Sequence, residues 1–173
     1  MTRCFVAVLP DEAVNCAVDR AVAAAVGPGS PWRPVAPERR HVTLRFHADA
    51  DAGELADTLR PRVAGLPAPT LRLEGAGIFG TVLWLGVLPV LPDDARRWSG
   101  LLAAVGEDPA GHVAHLTVCR ARERPGAVPA GLEGRHGPSW TPGEVVLVAS
   151  GVPHRVLERF PLVGGGEAVG PGR

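Results

Sequence analysis

Two short runs of this chain repeat one arrangement of polar side chains: Arg40-His41-Val42-Thr43-Leu44 and Ala114-His115-Leu116-Thr117-Val118. Both sit in stretches rich in β-branched and aliphatic residues, which read as strands. Alternate side chains of a strand share a face. His41 and Thr43 therefore point one way, while Val42 and Leu44 point into a core, and His115 and Thr117 repeat the pattern. Two imidazoles, each beside a hydroxyl, form a general acid–base pair suited to a phosphate ester. The bland alternative is a pair of core histidines that hydrogen-bond to neighbouring threonines. A duplication that keeps both polar positions argues for chemistry.

The surrounding elements must bring the two runs together. Residues 3–9 read as a buried strand, and Asp11 then caps a helix that runs to residue 26. Residues 27–37, with four prolines, read as a loop holding Trp32. Residues 40–46 form the first motif strand, and 51–59 form a helix that Pro61 ends or kinks. Strands at 70–74 and 82–87 flank a glycine-rich turn at 75–80. A helix from Pro92 to about residue 105 precedes the second motif strand at 113–120. Residues 125–142 read as a long surface loop, with strands at 144–150 and 156–162 beyond it. The order is mixed, which predicts an α+β fold. Each motif follows a strand–helix unit, so we expect two similar lobes of antiparallel sheet with outer helices around a central cleft. Residues 1–163 make one bilobed domain in this reading, and 164–173 a glycine-rich disordered tail.

Composition narrows the chemistry. The chain has 173 residues, 46% of them apolar and 21% charged, with a formal net charge of zero. A polyanion must therefore be met by a local group of arginines, not by overall charge. All 18 basic residues are arginine. The absence of lysine excludes a lysine adduct and a P-loop. The short apolar start is followed by Asp11 and Glu12, unlike a signal peptide, and no apolar run approaches membrane-spanning length. Cys4, Cys16 and Cys119 lack paired spacing and fit reduced thiols in the cytoplasm.

The chain resembles the two-histidine (2H) phosphoesterases, and within them the bacterial and archaeal RNA 2′,3′-cyclic phosphodiesterases of the LigT/ThpR family, once called 2′-5′ RNA ligases. The opening strand Arg3-Cys4-Phe5-Val6-Ala7-Val8, the lead Trp32-Arg33-Pro34-Val35, the central strand Thr81-Val82-Leu83-Trp84-Leu85-Gly86-Val87 and the run His115-Leu116-Thr117-Val118-Cys119-Arg120 carry the likeness. Ala114 replaces the usual proline, His47-Ala48 a common Leu-Gly, and Thr81 a common arginine or proline. The resemblance implies hydrolysis of RNA 2′,3′-cyclic phosphate ends by His41 as acid and His115 as base, roles that the near-symmetric sequence leaves exchangeable. It implies RNA ends or small cyclic nucleotides as substrate, with no cofactor, metal or obligate protein partner. Thr43 and Thr117 would hold the phosphate, with Arg120 carried over from the family motif.

An ideal strand would put Arg120 on the face opposite His115, so its role requires the strand to end or bulge. Phe46, at the matching place after His41, is a candidate base platform. Arg45 shares the parity of His41 and is a candidate phosphate contact, and Arg159 a candidate cleft residue. Two rival readings stay open. His112 with His115, and His41 with His47, have spacings that suit metal binding. A two-lobed module that holds RNA ends without turnover would use the same fold.

Overall fold

The computed structural model describes residues 2–151 and 153–165. Among these residues nine strands, three α-helices and a 3-10 turn run in the order β1 (Thr2–Val8), α1 (Glu12–Ala25), β2 (Arg33–Pro34), the turn Pro37–Arg39, β3 (Val42–Ala50), α2 (Ala52–Val63), β4 (Leu71–Phe79), β5 (Val82–Pro89), α3 (Pro92–Ala104), β6 (His115–Arg120), β7 (His136–Trp140), β8 (Glu144–Ala149) and β9 (Arg155–Pro161). The architecture is α+β, as expected. Every named strand pairing is antiparallel, in the order β7-β4-β5-β6-β3-β1-β8-β9 with β2 added beside β6.

That order reads as two matching halves. In one, β3 is followed outward by β1 and then β8; in the other, β6 is followed outward by β5 and then β4. The motif strands β3 and β6 meet at the seam through a single paired position, Val42 with Leu116. A second tie crosses the seam where His112 Nε2–H donates to the Thr43 carbonyl at 2.9 Å. Helix α1 packs against β7, α3 against β5 and β3, and α2 against β9 and α3. One large apolar cluster fills the space between helices and sheet, including Val6, Val8, Leu44, Leu83, Leu101, Leu116 and Leu147. A small separate cluster, Phe5, Ala7, Val146 and Val148, marks the other face of β1 and β8.

Local chemistry explains most boundaries. Asp11 and Asp51 cap α1 and α2 by accepting backbone N–H bonds, from Val14 and from Gly53 and Glu54. Pro61 does not end α2, which continues to Val63. It sits in the last turn, and the carbonyl it leaves without a helical donor belongs to exposed Asp57.

Two segments differ from expectation. Residues 75–79 are not a turn but the second half of β4. The turn falls at Gly80 and Thr81, with Gly80 at φ +56°. The glycines here serve close packing: a Cβ on Gly77 would lie 2.2 Å from the Trp84 ring, and one on Gly86 2.3 Å from the Glu74 carbonyl. The loop expected at 125–142 contains edge strand β7, paired with β4 from Leu71–Trp140 to Glu74–His136. Pro138 and Gly137 masked it, yet an edge strand tolerates proline. Trp140 anchors it by donating its Nε1–H to the Leu9 carbonyl at 3.1 Å. Within the loop expected at 27–37, Arg33–Pro34 forms β2. Of the tail expected to be disordered, residues 166–173 lie outside the described residues. All three cysteines are unpaired.

Candidate active site

The same distortion occurs in both motif strands and decides which side chains share the site. Along β1–β3, Val6 faces Arg45 and Ala7 faces Thr43, so Leu44 is an extra residue. Along β5–β6, Leu83 faces Cys119 and Trp84 faces Thr117, so Val118 is extra. Each bulge lies directly after the motif threonine and reverses the alternation beyond it. Phe46, opposite Phe5, and Arg120, opposite Val82, thereby join the face of the motif threonines. The condition the sequence set for Arg120 is met.

The bulge turns Arg45 away. It pairs with core residue Val6, and its guanidinium lies beside Gly106, just past the end of α3. Parity in an unbroken strand placed Arg45 with His41; the inserted residue Leu44 is why it is not there. Arg159 is on the site's face, in the row Thr43–Ala7–Val146–Arg159, but three strands from β3. That separation is about 14 Å at ordinary strand spacing, and Arg159 is ion-paired to Glu144. The structure does not bring it to the histidines.

Both histidines are held alike. His41 Nδ1 lies 2.9 Å from the Arg39 carbonyl and His115 Nδ1 lies 2.8 Å from the Val113 carbonyl, each two residues back. A carbonyl only accepts, so Nδ1 carries the hydrogen in both rings. Nε2 is left as the free nitrogen, with no hydrogen-bond partner among the described residues. His41 lies just ahead of β3, after the 3-10 turn, and its neighbour fixes that turn. Buried Arg40 donates to the Val35 carbonyl at 3.0 Å and the Asn15 carbonyl at 3.2 Å, and pairs with Asp19 of α1.

Aromatic rings wall each imidazole. His41 stacks on Phe5 at 4.3 Å between centroids, and His154 meets both rings edge-on at 5.3 Å. His115 meets Phe79 at 5.2 Å and Trp84 at 6.1 Å. Sequence reasoning missed Phe5, Phe79 and His154 and read Trp84 only as part of a central strand. The shared register of Phe5 with Phe46 and of Trp84 with Thr117 reveals two of them; nothing periodic announces His154. Among the described residues no three His, Cys, Asp or Glu side chains gather to hold a metal ion; His112 donates its Nε2–H to the Thr43 carbonyl, and His47 pairs with core residue Cys4, across the sheet from the motif face.

Burial pushes the His41 pKa down to about 4, opposed by the Arg39 hydrogen bond and helped by the positive charges of His154, His115 and Arg120. Burial also lowers His154, with Arg39 and Arg120 adding to it. These shifts have a consequence for stability. Between an unfolded value near 6.5 and a folded value near 4, the unfolded chain binds the extra proton. Stability therefore falls as pH drops from about 6.5 through about 4, by on the order of 2 kcal/mol for this partly exposed ring. Urea unfolding at pH 7 and pH 4.5 should show a smaller acid loss in His41→Gln than in wild type. Equal losses would contradict this burial effect.

No protein-family model matches the chain, and no curated protein matches it. Solved structures do. TT0787 of Thermus thermophilus is 30% identical, over 94% of this chain and 98% of its own, with a TM-score of 0.72. E. coli LigT in its apo form is 26% identical over 93% of this chain and 97% of its own, with a TM-score of 0.68. A structure described as a phosphoesterase is 25% identical over 94% and 99%, with a TM-score of 0.67.

Proposed function

Because the chain belongs to the LigT-like 2H phosphoesterases, enzymes that act on phosphodiester bonds, we propose that it hydrolyses RNA 2′,3′-cyclic phosphate ends to 2′-phosphomonoesters without a metal. The observation that carries this reading is the matched anchoring of the two Nδ1–H groups, which frees both Nε2 atoms for proton transfer. His115 Nε2 takes a proton from water as its oxygen attacks phosphorus. His41 Nε2–H gives a proton to O3′ as the P–O3′ bond breaks, leaving the phosphate on O2′. Thr43 and Thr117 hydroxyls and the Arg120 guanidinium stabilise charge on the non-bridging oxygens. Phe46, 53% exposed on the same face, stacks on a base.

His41 is neutral at pH 7 before substrate arrives, yet the acid role needs it protonated. The substrate supplies the difference. One negative charge about 4 Å away contributes roughly 4 kcal/mol at an effective dielectric of 20, close to three pKa units. That returns His41 to the neutral range when phosphate is bound. The decisive assay is an oligoribonucleotide ending in a 2′,3′-cyclic phosphate, incubated with the protein in EDTA. Conversion to a 2′-phosphate is expected, while inertness of folded protein would overturn the reading. The same residues serve the reverse reaction, with a ribose hydroxyl replacing water, so 2′-5′ joining or another cyclic phosphate is the next substrate to assay.

A further inference from the structure

We propose that Arg33 and Arg122 form a second anion subsite beside Arg120, one that holds the phosphodiester on the 5′ side of the terminal nucleotide. The proposal deepens the cyclic-phosphate reading and rests on it. Strand β2 is two residues long and pairs with the end of β6, setting Arg33 directly opposite Arg120. Directly opposed residues share a face. Since the bulge at Val118 turns Arg120 to the site's face, Arg33 is there too.

Two arginines opposed across a strand pair repel each other and cost stability. Among the described residues, none of Arg33, Arg39, Arg120 and Arg122 makes an ion pair; six other arginines do, and seven more, Arg45 and Arg62 among them, do not. What sets this group apart is the register, which puts two of its members, Arg33 and Arg120, directly opposite each other with no ion-pair partner for either among the described residues. Arg33 is also preorganised: its Nη1 donates to the Ser30 carbonyl at 2.8 Å and the Trp32 carbonyl at 3.3 Å. Holding a long side chain in place removes part of the entropy cost of binding. Beyond it opens a groove of about 330 Å³ lined by Pro31, Arg33, Arg122 and Glu123. Two guanidinium groups against one carboxylate select an anion.

The register that sets Arg33 opposite Arg120, on the face of the motif threonines, identifies that anion. A 2′,3′-cyclic phosphate is a 3′ terminus, so the rest of an RNA chain leaves the site on its 5′ side. Its next phosphate needs a cation within about one nucleotide of Arg120. Arg33 and Arg122 are the arginines that extend from Arg120 along β2 and the chain after β6. A mononucleotide has no phosphate to place there.

The test compares kcat/KM for a pentaribonucleotide ending in a 2′,3′-cyclic phosphate with kcat/KM for uridine 2′,3′-cyclic monophosphate. The Arg33→Gln, Arg122→Gln double variant should lower the oligonucleotide-to-mononucleotide ratio about tenfold. An unchanged ratio, whether both rates fall or neither does, overturns the subsite. Failure of the underlying reading looks different: the wild type would turn over neither substrate. Binding then decides without turnover. Anisotropy of a labelled pentaribonucleotide with a 2′-phosphate end should show weaker binding by the double variant. Its salt dependence should also be shallower, by roughly 0.7 in log–log slope for each phosphate that no longer meets an arginine. Equal slopes overturn the proposal.

Discussion

Replacing either His41 or His115 with alanine should lower kcat for the cyclic-phosphate end by about 10²- to 10⁴-fold, the range that general acid–base catalysis supplies. The two losses should be similar because the two rings are held identically, each with Nδ1–H on the carbonyl two residues back and Nε2 free. Combining them should cost little more than either alone, since acid and base act in one proton-transfer event. KM should move far less than kcat, because the phosphate's other contacts stay in place. Thermal unfolding of each variant provides the control, since His41 stacks on Phe5 and His115 lies against Phe79 and Trp84. A single variant that keeps wild-type kcat would remove that histidine from the chemistry. A strictly multiplicative double variant would mean that the two rings lower the barrier independently rather than as one coupled proton-transfer unit.

The pattern His-apolar-Thr-apolar was legible because alternation survives unbroken over those four residues. The register beyond each motif was not. Leu44 and Val118 are apolar residues at positions that read as ordinary inward strand residues, and no residue type marks either as inserted. One device therefore had opposite effects on two expectations. It carried Arg120 to the site, where the family motif had placed it against simple parity, and it removed Arg45, which parity had favoured. The same blindness hid β7. Its edge pairing depends on partner strand β4 and on Trp140 reaching Leu9, contacts remote in sequence, while its own Gly137-Pro138 reads as loop. Arg159 failed for another reason. Lateral distance across a sheet depends on strand order, and two strands, β1 and β8, intervene between it and Thr43. His154 comes from the connection after β8, and only the assembled sheet sets it against Phe5 and His41.

Arg120→Gln should lower kcat by about 10²-fold and raise the pKa of His41 and His154 together. The first effect arises from charge: the pentacoordinate transition state gathers negative charge on oxygens that a guanidinium can pair and a neutral amide cannot. The second has a definite sign. Arg120 is among the positive charges that hold both imidazoles below their ordinary value, so its removal favours their protonated forms. Titration of the ring protons by NMR would show both midpoints moving up in the free variant. The pairing of outcomes matters, because a merely structural role would not produce it. Loss of strand packing at the end of β6 would lower activity while exposing His41 to water, and exposure would also raise its pKa. Such exposure would break the contact of His41 with Phe5 and the Nδ1–H bond to Arg39. The expected result is therefore a raised pKa with the ring's chemical shifts and its contacts to Phe5 preserved. A fall in kcat with neither midpoint moved would place Arg120 away from His41. Unaltered kcat would leave the transition-state charge to the two threonines and whichever arginine lies next to them.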